Sequence, residues 1–92
     1  MASNIWYVYM LECQGGRIYT GITPDVDARF KKHRNGSGAL FTRINKPVRL
    51  LAAMPCDSRG QAARLESTLK KFERNNKLLW AADWTWDRQK IG

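Results

Sequence analysis

Eight residues near the start of the chain limit its fold more than any other feature. Ile5-Trp6-Tyr7-Val8-Tyr9-Met10-Leu11-Glu12 is an almost unbroken run of aromatic, β-branched and other apolar side chains, bounded by turn residues. Such a run predicts a strand covered on both faces, and so a strand at the centre of a sheet. Gln14-Gly15-Gly16 follows at once. Glycine supplies the positive φ of a tight turn, which makes Arg17-Ile18-Tyr19-Thr20-Gly21 the return strand of a hairpin. An isolated hairpin is barely stable in water, so the rest of the chain has to cover its two faces.

The remaining elements follow from caps and period. Thr23 reads as an N-cap, with Pro24 at the first helical position and Asp25 and Asp27 facing the macrodipole. This predicts a helix over 24–34 that stops at Asn35-Gly36. Residues 36–46 show no clean period and read as a loop, of a length that tends to be functional. Residues 48–54 predict a third strand ended by Pro55. Ser58 caps a second helix reaching about Glu73, with Ala62, Leu65, Leu69 and Phe72 on one apolar face. Asn75 opens a short third helix carrying Leu78, Leu79 and Trp80. Trp80, Trp84 and Trp86 are expected in core or edge packing rather than as platforms for unstacked bases. The order is β-β-α-β-α-α: an α+β domain, a three-stranded antiparallel sheet flanked by helices. At 92 residues the chain is read as one domain over 1–92, with its core about 5–84.

Charge narrows the partner. Lys plus Arg is 16 against 8 Asp plus Glu, a net +8. Residues 25–49 alone carry +5, from Arg29, Lys31, Lys32, Arg34, Arg43, Lys46 and Arg49 against Asp25 and Asp27. Such a balance favours a polyanion, nucleic acid before an anionic membrane. No apolar stretch approaches the ~20 residues that cross a bilayer. Met1-Ala2-Ser3-Asn4 opens no secretory signal, so a cytoplasmic location is expected, with Cys13 and Cys56 as reduced thiols. One histidine and two distant cysteines make no zinc site.

Few side chains could do chemistry. Tyr9 and Tyr19 fall on the paired strands, and Arg29 and His33 share one face of the first helix. Glu66 is a carboxylate on a largely basic second helix. There is no Walker loop and no paired carboxylate of the glycosidase kind. The set suits phosphodiester hydrolysis: a hydroxyl near water, an arginine for the anionic transition state, and a carboxylate for one hard cation. Each residue also has a plainer reading. The tyrosines are ordinary in strands, Arg29 is a solvated charge, His33 complements a helix end, and Glu66 pairs with Lys70 at i+4.

The ordered set resembles the GIY-YIG nuclease family. Tyr7-Val8-Tyr9 and, nine residues on, Tyr19-Thr20-Gly21 stand as its two triplets, with Tyr7 replacing the first glycine. Gly21-Ile22-Thr23, Asp25-Val26, Arg29, His33, Gly36-Ser37-Gly38-Ala39, Thr42-Arg43, Pro47 and Ala63-Arg64-Leu65-Glu66 continue the pattern. Phe41 replaces the tyrosine usual before Thr-Arg. The likeness is to short bacterial members that consist of the nuclease domain alone. It implies that Tyr9, Tyr19 or His33 orients or deprotonates the attacking water. It also implies that Arg29 contacts the scissile phosphate and Glu66 holds one divalent metal, Mg²⁺ or Mn²⁺. Tyr7, Gly21, Lys32, Thr42, Arg43 and Lys46 are then expected to face the nucleic acid, with the 36–46 loop at the rim of the site.

The expected function is a metal-dependent endonuclease acting on DNA, single-stranded, flap or branched rather than a specific duplex sequence. The expected protein is a monomer or weak dimer without a membrane partner. The competing functions are a non-catalytic nucleic-acid-binding module with the same basic surface, and a protein-interaction domain whose charge is incidental. Glu66 and Arg29 discriminate, since a pure binder needs neither.

Overall fold

The computed structural model describes residues 5–86; the ends of the expected 1–92 domain lie outside them. The apolar run is β1, Trp6–Cys13, and it is central: the sheet order is β2-β1-β3, with β2 at Ile18–Thr23 and β3 at Pro47–Cys56. Both pairings are antiparallel. Gln14–Gly16 forms a single 3₁₀ turn with Gly15 at φ 80° and Gly16 at φ 75°, which is why two glycines stand there.

Because β1 is covered on both sides, its alternation builds two cores. Val8 and Met10, with Ala52, meet Ala62 and Leu69 of α3 (Arg59–Lys70) and Ala81 of α4 (Arg74–Ala82). Trp80 and Trp84 pack on this side as well. Tyr9, Leu11, Cys13 and Ala53 meet Val26 and Phe30 of α1 (Val26–Arg34), with Tyr7, Tyr19 and Trp86 at the margin. Cys13 and Cys56 are buried free thiols, and burial pushes both above their ordinary range.

Several local expectations change. Pro55 does not end β3, which pairs Pro55 with Tyr7 and runs on to Cys56, and the last helix opens at Arg74 rather than at Asn75. The N-cap of α1 is Asp25, which accepts from the Ala28 N–H at 3.1 Å; Thr23 Oγ1 instead accepts from the Asp25 N–H. A β-region residue after Pro24 delays the helix by two positions. The 36–46 stretch is not all loop, since Leu40–Ile44 forms a short helix, α2. Five residues cannot display a 3.6 period, and this turn is fixed from outside, through Thr42 and Phe41. The second helix ends at Lys70, not Glu73, because Glu73 is the N-cap of α4. Ser58 caps α3 as expected, accepting from the Gln61 N–H.

Candidate active site

The site begins with space. In the register, Tyr9 lies between Gly21 of β2 and Ala53 of β3. A Cβ at position 21 would sit 2.7 Å from the Tyr9 hydroxyl oxygen and 3.0 Å from Cε2 of Tyr19. Gly21 is therefore the residue that lets the Tyr9 ring lie across β2. It is buried under that ring and does not face a ligand, contrary to the expectation that it touches nucleic acid.

From Tyr9 a chain of hydrogen bonds runs inward. Tyr9 Oη is 2.7 Å from His33 Nε2, and His33 Nδ1 is 2.7 Å from Thr42 Oγ1. The Thr42 hydroxyl donates to the Ala39 carbonyl at 2.9 Å, so it accepts from His33 Nδ1–H. Nε2 then carries no proton and accepts from Tyr9. Gly38 leaves room for the imidazole, since any side chain there would collide with His33 Nδ1.

Burial sets the protonation states. His33 is 1% exposed, and burial first, then the Arg29 charge, lower its pKa from 6.5 to about 4. Burial first, then Tyr19, pushes the Tyr9 phenol above its ordinary 10, while Arg29 pulls it back. Both groups are neutral at pH 7, a phenol donating to an imidazole.

Arg29 and Tyr19 are the half-buried members of the cluster, and each lines a depression of its own. Arg29 is half-buried one helical turn before His33, and lines a depression of about 260 Å³ with Asp25 and Lys32. The Tyr19 ring centroid lies 5.0 Å from His33, 6.1 Å from Tyr9 and 5.7 Å from Phe41. Tyr9, Tyr19, Arg29 and His33 thus come together. Glu66 does not join them directly. It lies on α3, on the opposite face of the sheet, with Oε2 3.2 Å from Lys70 Nζ, the i+4 pair foreseen as its plainer role. The two faces meet at the free edge of β2, where one depression is lined by Tyr19 from one side and Lys70 from the other.

The residues expected to face nucleic acid divide. Lys32, Arg43 and Lys46 are exposed. Tyr7 is half-buried, edge-on to Trp86 at 5.3 Å, and has a packing role. Thr42 is 1% exposed and cannot touch a backbone; its hydroxyl fixes the His33 tautomer instead. The importance of Gly38 and the Thr42 support were missed, because both depend on a contact nine or fewer residues away that has no period to reveal it.

A basic α+β domain that gathers two tyrosines, an arginine and a buried histidine on one face of its sheet agrees with a nuclease-type family. The chain belongs to the GIY-YIG family, a nuclease-type family: the GIY-YIG catalytic domain matches residues 5–78. It is 45% identical to the UPF0213 protein XAC3202 of Xanthomonas axonopodis pv. citri over 75 residues, covering 82% of this chain and 74% of that one. A UPF0213 protein of Streptococcus sanguinis is 44% identical over 82 residues, covering 89% and 94%. The solution structure of the UPF0213 protein BH0048 from Bacillus halodurans is similar at TM-score 0.53 and 44% identity, covering 85% and 83%. That of EF2693 from E. faecalis is similar at TM-score 0.59 and 28% identity, covering 90% of each. No helix among the described residues is long and apolar enough to cross a membrane.

Proposed function

We propose that this protein is a divalent-metal-dependent endonuclease that hydrolyses DNA phosphodiesters in single strands, flaps or branched structures rather than at a specific duplex sequence. The observation that carries this is the Tyr9–His33–Thr42 chain beside Arg29. A binding module has no use for a neutral imidazole held, tautomer and all, behind a phenol.

Water does not reach His33 directly, since both ring nitrogens are taken. Tyr19, half-exposed, takes the water's proton as its own hydroxyl proton passes to the Tyr9 oxygen, and the Tyr9 hydroxyl proton passes to Nε2. The water oxygen bonds to phosphorus, the bond to the leaving oxygen breaks, and that oxygen takes a proton from solvent. Arg29 holds the non-bridging oxygens. The same interaction strengthens the base: a phosphate on Arg29 offsets one of the two causes that hold His33 low.

Among the described residues no three His, Cys, Asp or Glu side chains come together. A magnesium-type ion does not require that, because it keeps several waters and binds one or two carboxylates plus substrate phosphate. Glu66 is the carboxylate that this reading assigns to the ion, with exposed Lys70, its ion-pair partner, giving way. The ion would supply charge neutralisation at the leaving oxygen.

The test is a panel of labelled single strands, flaps, junctions and duplexes with Mg²⁺, Mn²⁺ or EDTA. Cleavage of the flexible substrates, dependent on metal, is expected. Cleavage of none, or undiminished cleavage in EDTA, refutes the proposal.

A further inference from the structure

The β2 edge carries a second feature, which this chemistry touches only at Tyr19. Two adjoining depressions of about 470 and 390 Å³ run along it and share Ile18, Phe41 and Lys77. Their charged lining is wholly cationic: Arg17 and Arg74 at the hairpin end, Lys77 at the middle, Lys70 toward Glu66. Arg17, Arg74 and Lys77 make no ion pair among the described residues. Arg74 is fixed in place, its Nε donating to the Gly16 carbonyl at 2.7 Å. Phe41 is the aromatic side chain that the two depressions share, 36% exposed, with its other side against Tyr19. An exposed aromatic ring in a groove of that volume, beside three cations outside any ion pair among the described residues, matches a nucleotide: phosphates for the cations, one unstacked base for the ring.

We propose that the β2-edge groove seats one strand of single-stranded DNA, with Arg17, Arg74 and Lys77 on its phosphates and one base stacked on Phe41 next to the scissile bond. This rests on the nuclease reading only for the position of that bond. The groove is formed by β2, α2, α4, the end of α3 and the hairpin turn, whereas the +5 stretch over 25–49 supplies only Phe41 to it. A duplex keeps its bases stacked and cannot offer one to Phe41, so the groove prefers a single strand.

The experiment is fluorescence anisotropy with a labelled oligothymidylate and a duplex of equal length, in EDTA, over a series of KCl concentrations. Arg17→Gln with Lys77→Gln should flatten the single-strand salt slope by about 1.4, since each phosphate left without its cation accounts for about 0.7. Phe41→Ala should weaken single-strand binding roughly 5- to 150-fold while Phe41→Trp restores it, and neither should change duplex binding. An unchanged slope, or a Phe41→Ala protein that binds the strand as tightly as wild type, overturns the proposal. Because binding is read without metal, expected binding with no cleavage in magnesium retires the nuclease and keeps the groove. Cleavage with unaltered binding by the variants does the reverse.

Discussion

Lowering the pH should unfold this protein partly through one ring. His33 has an ordinary pKa of 6.5 in the unfolded chain and about 4 in the fold, because burial and Arg29 both oppose its charge. As pH falls below 6.5 the unfolded chain takes up the proton first, so stability falls with pH through that window and stops falling below about 4. Between about pH 7.5 and about pH 4.5 the loss from this group alone is about 2.5 kcal/mol, a large part of the stability of a small domain. Urea unfolding at the two pH values measures the total loss, to which carboxylates also contribute. His33→Gln removes the titrating group and keeps hydrogen-bonding capacity, so the difference between the wild-type and variant losses isolates the ring. A variant that loses as much stability as the wild type over this window would refute the assignment of a neutral, buried His33.

Arg29→Ala should cost on the order of 10²-fold in cleavage rate, and Arg29→Lys should recover only part, since a point charge lacks the planar fork. The same Ala variant should raise the His33 pKa, read by NMR titration of its single imidazole, because one of its two depressing causes is gone. Gly21→Ala places a methyl 2.7 Å from the Tyr9 hydroxyl; the displaced phenol should lower the rate by about 10²-fold in a single-turnover assay. Thr42→Val leaves His33 Nδ1–H without its acceptor and should destabilise the protein by roughly 1–3 kcal/mol in urea, with Thr42→Ser close to wild type.

The hairpin was legible because its signals are local: an uninterrupted apolar run, two glycines and a second run. Its central position was legible too, since a strand apolar on both faces needs cover on both. The caps at Ser58 and Gly36 were likewise written in single residues. What escaped was whatever a short segment owes to distant partners. Leu40–Ile44 is a helix because Thr42 meets His33 and Phe41 meets Tyr19, and no five-residue pattern records that. Residue types placed Tyr9, Tyr19, Arg29 and His33 together, but not how deep each one lies. The imidazole is buried behind the Tyr9 hydroxyl rather than open to solvent. Glu66 was legible as a carboxylate on a basic helix, and the fold sets it on α3, on the other side of the sheet from His33 and paired with Lys70.

The most direct test of the account is single-turnover cleavage of a labelled single strand by wild type and Glu66→Ala in magnesium, with DNA binding measured on the same preparations. Wild type should cleave, and Glu66→Ala should bind the strand with its affinity largely intact and cleave nothing. A Glu66→Ala protein that cleaves at the wild-type rate would contradict the carboxylate's role. A wild type that binds and never cleaves would contradict the hydrolytic site itself.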